Sequence, residues 1–71
     1  MEYLLVIFPD DRIVLIDEKV EGRSNEIIEL EKGTHVISFQ SPPDDFRPRQ
    51  KKITLARTSV ITPREVTFAK N

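Results

Sequence analysis

At 71 residues the chain is long enough for one domain over 1–71 and too short to enclose a large pocket, because a domain of this size buries only about 60% of the surface its unfolded chain exposes. It contains no cysteine, which excludes a disulfide framework and a thiolate metal site and leaves association with another chain as the means of reinforcing a thin core. The net charge of −1 hides a segregation, since residues 1–45 hold eleven acids and four bases whereas residues 46–71 hold seven bases and one acid; cross-strand pairing of late strands with early ones, a polar contact with a second copy and a basic nucleic-acid face are the readings this opens.

The stretch Glu2–Asp17, EYLLVIFPDDRIVLID, holds two apolar runs, Tyr3–Phe8 and Ile13–Ile16. Both are too short for helices and rich in branched or aromatic residues, and Pro9, Asp10 and Asp11 between them bring turn chemistry, so the spacing predicts a β-hairpin or a sharp strand-to-strand corner. An acid stands at Glu2, where a secretory leader wants a base, and no small-residue cleavage site follows the short apolar run; a soluble, cytoplasmic chain is expected. Nothing is long enough to span a membrane. Both faces of the first run are apolar, with Tyr3, Leu5 and Ile7 on one and Leu4, Val6 and Phe8 on the other. A strand with one wet face does not read that way, so either the Pro-rich segment or another chain is expected to cover the second face.

Glu18–Asn25 reads as a polar connection with Gly22 at positive φ, and Glu26–Leu30 as a strand that Lys32-Gly33 turns into the next. In Thr34–Gln40 the set His35, Ile37 and Phe39 shares one face, the period of two of a half-buried strand. Ser41–Pro48 has three prolines and is expected to be irregular, with Phe46 as its anchor. Arg49–Leu55 alternates again, Lys51, Ile53 and Leu55 on one side. A polar connection through Arg57–Ser59 leads to Val60–Ala69, a strand that Pro63 places at a sheet edge or bulge, with Val66 and Phe68 inward. Six or seven short strands and no sustained helical period predict an all-β fold, a small antiparallel β-sandwich.

Residues with chemical potential are few. His35 is the sole histidine, no carboxylate sits near it on its own strand, and a fold role is expected rather than metal ligation. Asp17, Glu18 and Glu21 bracket a turn without the spacing of a cation loop. Ser24, Ser38, Ser41 and Ser59 lack a nucleophile-elbow context, and two glycines cannot make a phosphate-cradling run. No catalytic residue, cofactor or metal is therefore expected. Arg47, Arg49, Lys51, Lys52 and Arg57, with Phe46 as a stacking ring, form the one segment that could bind a single nucleic-acid strand. A pI of about 5.8 and a single aromatic weigh against it.

With the turns placed, the chain resembles the PEGA domain, a small β-sandwich module of modular prokaryotic proteins. The resemblance runs through Leu4–Phe8, the Pro-led turn Pro9–Arg12, Ile13–Asp17, Gly22, Ile27–Leu30 and the Gly33-Thr34-His35-Val36 run. Asp10-Asp11-Arg12 stands where the family has Glu-Gly-Ala, Glu18 replaces a glycine, Arg23-Ser24-Asn25 replaces Thr-Pro, and Ser41–Phe46 occupies the place of a Gly-Tyr pair. The resemblance implies a non-catalytic structural or protein-interaction role and transfers no site residues. The expected function is thus a protein-binding module of unspecified partner that forms a homo-oligomer through the apolar N-terminal strands, with Leu4, Val6, Phe8, Ile13 and Leu15 at the contact. The alternative is a small nucleic-acid-binding β-barrel using residues 47–57.

Overall fold

The computed structural model describes residues 1–71 and is all-β, with no helix; accordingly, no helix is long and apolar enough to cross a membrane. The strands are β1 (Glu2–Ile7), β2 (Ile13–Ile16), β3 (Lys19–Arg23), β4 (Ile27–Leu30), β5 (Gly33–Phe39), β6 (Phe46–Arg47), β7 (Lys51–Leu55), β8 (Arg64–Thr67) and β9 (Ala69–Lys70). They form a three-stranded sheet in the order β4-β1-β8, a four-stranded sheet in the order β3-β2-β5-β7, and the small ladder β6-β9. Nine strands stand against the six or seven expected, because two-residue pairings fix Phe46 to Lys70 and Arg47 to Ala69 and because Lys19–Arg23 pairs with β2 instead of remaining a connection.

One ladder departs from the antiparallel expectation. After β7, at the edge of one sheet, the chain crosses through residues 56–63 to the other sheet and enters β8 parallel to β1, with Val66 opposite Val6. A parallel partner requires a crossover and not a tight hairpin, and residues 56–63 provide it, so that Val60–Pro63, expected within the last strand, belong to the crossover and the strand begins at Arg64. Thr58 tethers that crossover to the start of β1: Tyr3 N–H donates to Thr58 Oγ1 at 2.6 Å, and Glu2 Oε1 accepts from the Thr58 N–H at 2.9 Å and hydroxyl at 2.7 Å.

Turn chemistry sets the registers. The β2–β3 hairpin closes through two residues, Asp17 (φ 52°) and Glu18 (φ 69°), whose left-handed backbones match the right-handed strand twist. Gly22 is not the left-handed turn residue expected from the sequence. It lies in β3 opposite Val14, and a Cβ there would stand 2.7 Å from Ile28 Cγ1, so glycine is needed for the close approach of β3 to β4. The positive φ belongs to Gly33, at 130°. Beyond Gly22, Ser24 and Asn25 lock the corner onto the end of β1. Asn25 N–H donates to Val6 C=O (2.7 Å), Asn25 Nδ2 to Phe8 C=O (2.8 Å), and Ser24 Oγ to Asp10 C=O (2.7 Å) while accepting from Arg12 N–H (2.9 Å).

Fourteen buried apolar side chains form a single cluster drawn from both larger sheets. At one end of it Phe39 is the hub, with ring centroids 4.8 Å from Phe8, 4.9 Å from Phe68 and 5.1 Å from Phe46, the last edge-on at 85°. Tilted and edge-to-face pairs of this kind add to plain area burial. Arg12 caps the cluster: its guanidinium lies 5.8 and 5.5 Å from the Phe39 and Phe46 centroids, pairs with Asp45, and donates to Gln40 C=O (2.7 Å) and Pro43 C=O (2.9 Å). The Pro-rich segment is thereby held by Arg12 and Phe46 against β2 and β5.

Candidate interaction surface

The five residues expected at the oligomer contact divide. Leu4, Val6 and Phe8 are 0%, 0% and 3% exposed. They are core residues of the single chain, which corrects their assignment to an interface: the rungs Leu4–Ile28 and Val6–Val66 set them on the face that packs inward. Ile13 and Leu15 are half-buried and lie on the opposite side of β2 from buried Val14 and Ile16. Leu15 is opposite Val20 on β3, which is 61% exposed, and opposite Ser38 on β5; Val36 is its diagonal neighbour. The outer side of this sheet therefore carries an apolar group of Ile13, Leu15, Val20 and Val36. The β1 sheet has a counterpart in half-buried Tyr3, Leu5 and Ile7 with exposed Ile27, and the Pro-rich segment is anchored elsewhere.

In the basic segment the structure separates the ring from the charges. Phe46 is 7% exposed, wedged edge-on against Phe39, so it has no free face for a base; its expected stacking role is corrected to core packing. Arg47, Arg49, Lys52 and Arg57 are exposed, whereas Lys51 is half-buried and reaches across to Thr67 C=O at 2.6 Å, 5.4 Å from the Phe68 ring centroid. Only Arg49 and Lys70, of the seven bases in residues 46–71, make ion pairs, with Asp44 at 3.9 Å and with Asp10. Intramolecular pairing thus uses little of the charge segregation. The pairs Arg12–Asp45, Arg23–Asp11 and His35–Asp17 lie within residues 1–45.

His35 sits at the far end of the core from the phenylalanines, at an open cleft of about 410 Å³ that Asp17, Lys19, Glu21, Glu29 and Glu31 also line. Its Nδ1 faces Asp17 Oδ2 and its Nε2 faces Glu31 C=O, each at 2.8 Å. Both partners are acceptors, so full satisfaction of the ring requires a proton on each nitrogen. The Asp17 carboxylate and then the Glu31 carbonyl hold the imidazole pKa above its ordinary value, against the opposing effect of burial. Asp17 is pushed the other way, first by the Val36 N–H on Oδ1 at 3.0 Å and then by His35. Through these two contacts His35 ties the β2–β3 turn to the β4–β5 turn. No group of three or more His, Cys, Asp or Glu is arranged to hold a metal ion.

Comparison with protein-family models, with curated proteins and with solved structures finds no match. The reading of this surface therefore rests on its own geometry. Sequence reasoning missed Arg12 as the clamp of the Pro-rich segment, since an arginine beside a turn carries no local mark of a partner thirty residues on. It also missed Val20 and Val36, for which the signal lay in the strand periodicity of residues that had been read partly as a connection.

Proposed function

We propose that the chain is a non-catalytic β-sandwich interaction module, PEGA-like in the succession of its strands and turns, that self-associates through apolar side chains on the outer side of its first strands. The observation that carries this is the rung Leu15–Val20, with Val20 61% exposed, flanked by Ile13 and Val36 on the same side of the sheet. A thin core of fourteen residues gains from covering such a group, because apolar surface removed from water contributes roughly 25 cal/mol per Å². The contact residues are then Ile13 and Leu15 with Val20 and Val36, in place of Leu4, Val6 and Phe8.

Sedimentation equilibrium of the wild type and of Leu15→Asp/Val20→Asp tests it. At high salt the wild type is expected to sediment as a dimer, and the variant to lose that dimer while keeping a cooperative thermal transition. A wild type that is monomeric at high salt and tens of micromolar contradicts the reading. A nucleic-acid-binding barrel, the second reading, would have to use the exposed bases of residues 47–57 without Phe46 as a stacking ring, since that side chain is buried.

A further inference from the structure

Each large sheet ends in two strands bonded on one side only. In the four-stranded sheet these are β3 and β7, and in the three-stranded sheet β4 and β8. None of the backbone hydrogen bonds made outside the ladders reaches the outer side of any of these four strands. β3 and β4 lie together, with Gly22 against Ile28. β7 and β8 meet at the opposite edges, where Lys51 bridges to Thr67 C=O. Unpaired strand edges are templates for another strand, and natural proteins block them with charge or cover them.

The charge on the two edges is opposite in sign. On or beside β3 and β4 stand Glu18, Glu21, Glu26, Glu29 and Glu31, all exposed and outside every ion pair, against Lys19, Lys32 and Arg23, the last paired with Asp11. On or beside β7 and β8 stand Lys51, Lys52, Arg57 and Arg64, likewise outside every ion pair, against Glu65. Each edge repels its own kind and attracts the other. Strand direction agrees. Because β3 and β5 both run opposite to β2, and β7 opposite to β5, β7 is antiparallel to β3; β8, parallel to β1, is antiparallel to β4. A second copy in the same orientation therefore presents an antiparallel strand to either sheet.

We infer that the acidic β3/β4 edge of one copy docks the basic β7/β8 edge of another, a head-to-tail contact distinct from the apolar contact above. Such a contact is heterologous and repeats, so it builds a ring or an open row of chains. Like charges reject an edge-to-edge mate of the same kind, which sets the direction of growth.

The test uses an Ile13→Asp/Leu15→Asp chain, in which the apolar contact is disabled from the interior strand β2 and neither edge strand is altered, so that the two contacts fail separately. Two derivatives are made from it, Glu21→Gln/Glu29→Gln and Lys52→Gln/Arg64→Gln, all at exposed positions that make no side-chain hydrogen bond. The parent chain is expected to associate at 0.05 M salt, with a dissociation constant at least about tenfold weaker at 0.5 M. Each derivative alone sediments as a monomer, and an equimolar mixture forms a 1:1 complex that grows no further, because one intact acidic edge meets one intact basic edge. A mixture that stays monomeric, or a parent whose association ignores salt, overturns the inference and leaves the apolar contact untouched. Coincident far-ultraviolet spectra of the derivatives verify that the fold is intact.

Discussion

The two ends of the core are held by different physics. At one end Phe8, Phe39, Phe46 and Phe68 interlock, all buried, and Arg12 lies over the Phe39 and Phe46 rings. At the other end His35, 15% exposed as a side chain, joins two turns through hydrogen bonds to the Asp17 carboxylate and Glu31 C=O beside an open acidic cleft. The difference teaches where stability resides and where it is adjustable: the aromatic end anchors the irregular Pro-rich segment, while the histidine end responds to pH.

Substitutions sharpen that contrast. The largest effect belongs to neither end but to the centre they share: Val6→Asp places a carboxylate at a fully buried position and is expected to abolish folding, read as loss of the cooperative thermal transition. This outcome also separates core from interface, since a contact residue would have yielded a folded monomer. Next, Phe39→Ala removes the hub of the aromatic end and is expected to cost about 3–5 kcal/mol, measured by denaturant unfolding at constant slope. Gly22→Ala follows, at about 1–3 kcal/mol, because Ile28 is itself buried and has little room to yield. If Gly22 were instead a left-handed turn residue, the β3–β4 approach would not enter that cost.

The smallest effect is the pH response of the histidine end. The folded-state pKa of His35 lies above its ordinary 6.5, so its contribution is complete below that value and fades as pH rises through the raised one. Asp17 is depressed below its ordinary 3.8, so its contribution is complete above that value and fades as pH falls through the lowered one. The bridge is whole between these limits. Thermal unfolding from pH 5.5 to pH 8.5 is expected to show Tm falling by about a few degrees in the wild type. His35→Gln should flatten that slope while Phe39→Ala keeps it; equal slopes in wild type and His35→Gln would remove the titrating bridge.

Much of the fold was legible because it follows the period of two. Ile37 and Phe39, Ile53 and Leu55, and Val66 and Phe68 are buried as their alternation demands. The double-sided apolar pattern of β1 was legible too, but it does not say which side is inner. Leu4, Val6 and Phe8 face the core because their rungs to Ile28 and Val66 do, and pairings that distant leave no trace in a local window. The parallel ladder was hidden for the same reason. Glycine misled in one place, since Gly22 serves a close approach and two non-glycine residues, Asp17 and Glu18, make the left-handed turn.

The most direct measurement is the mass of the wild-type chain by sedimentation equilibrium at micromolar concentrations, at 0.05 and 0.5 M salt. An apolar contact that survives salt and an edge contact that does not predict assemblies larger than a dimer at low salt and a dimer at high salt. A species of 8.2 kDa, the single chain, at both salt concentrations would contradict the account.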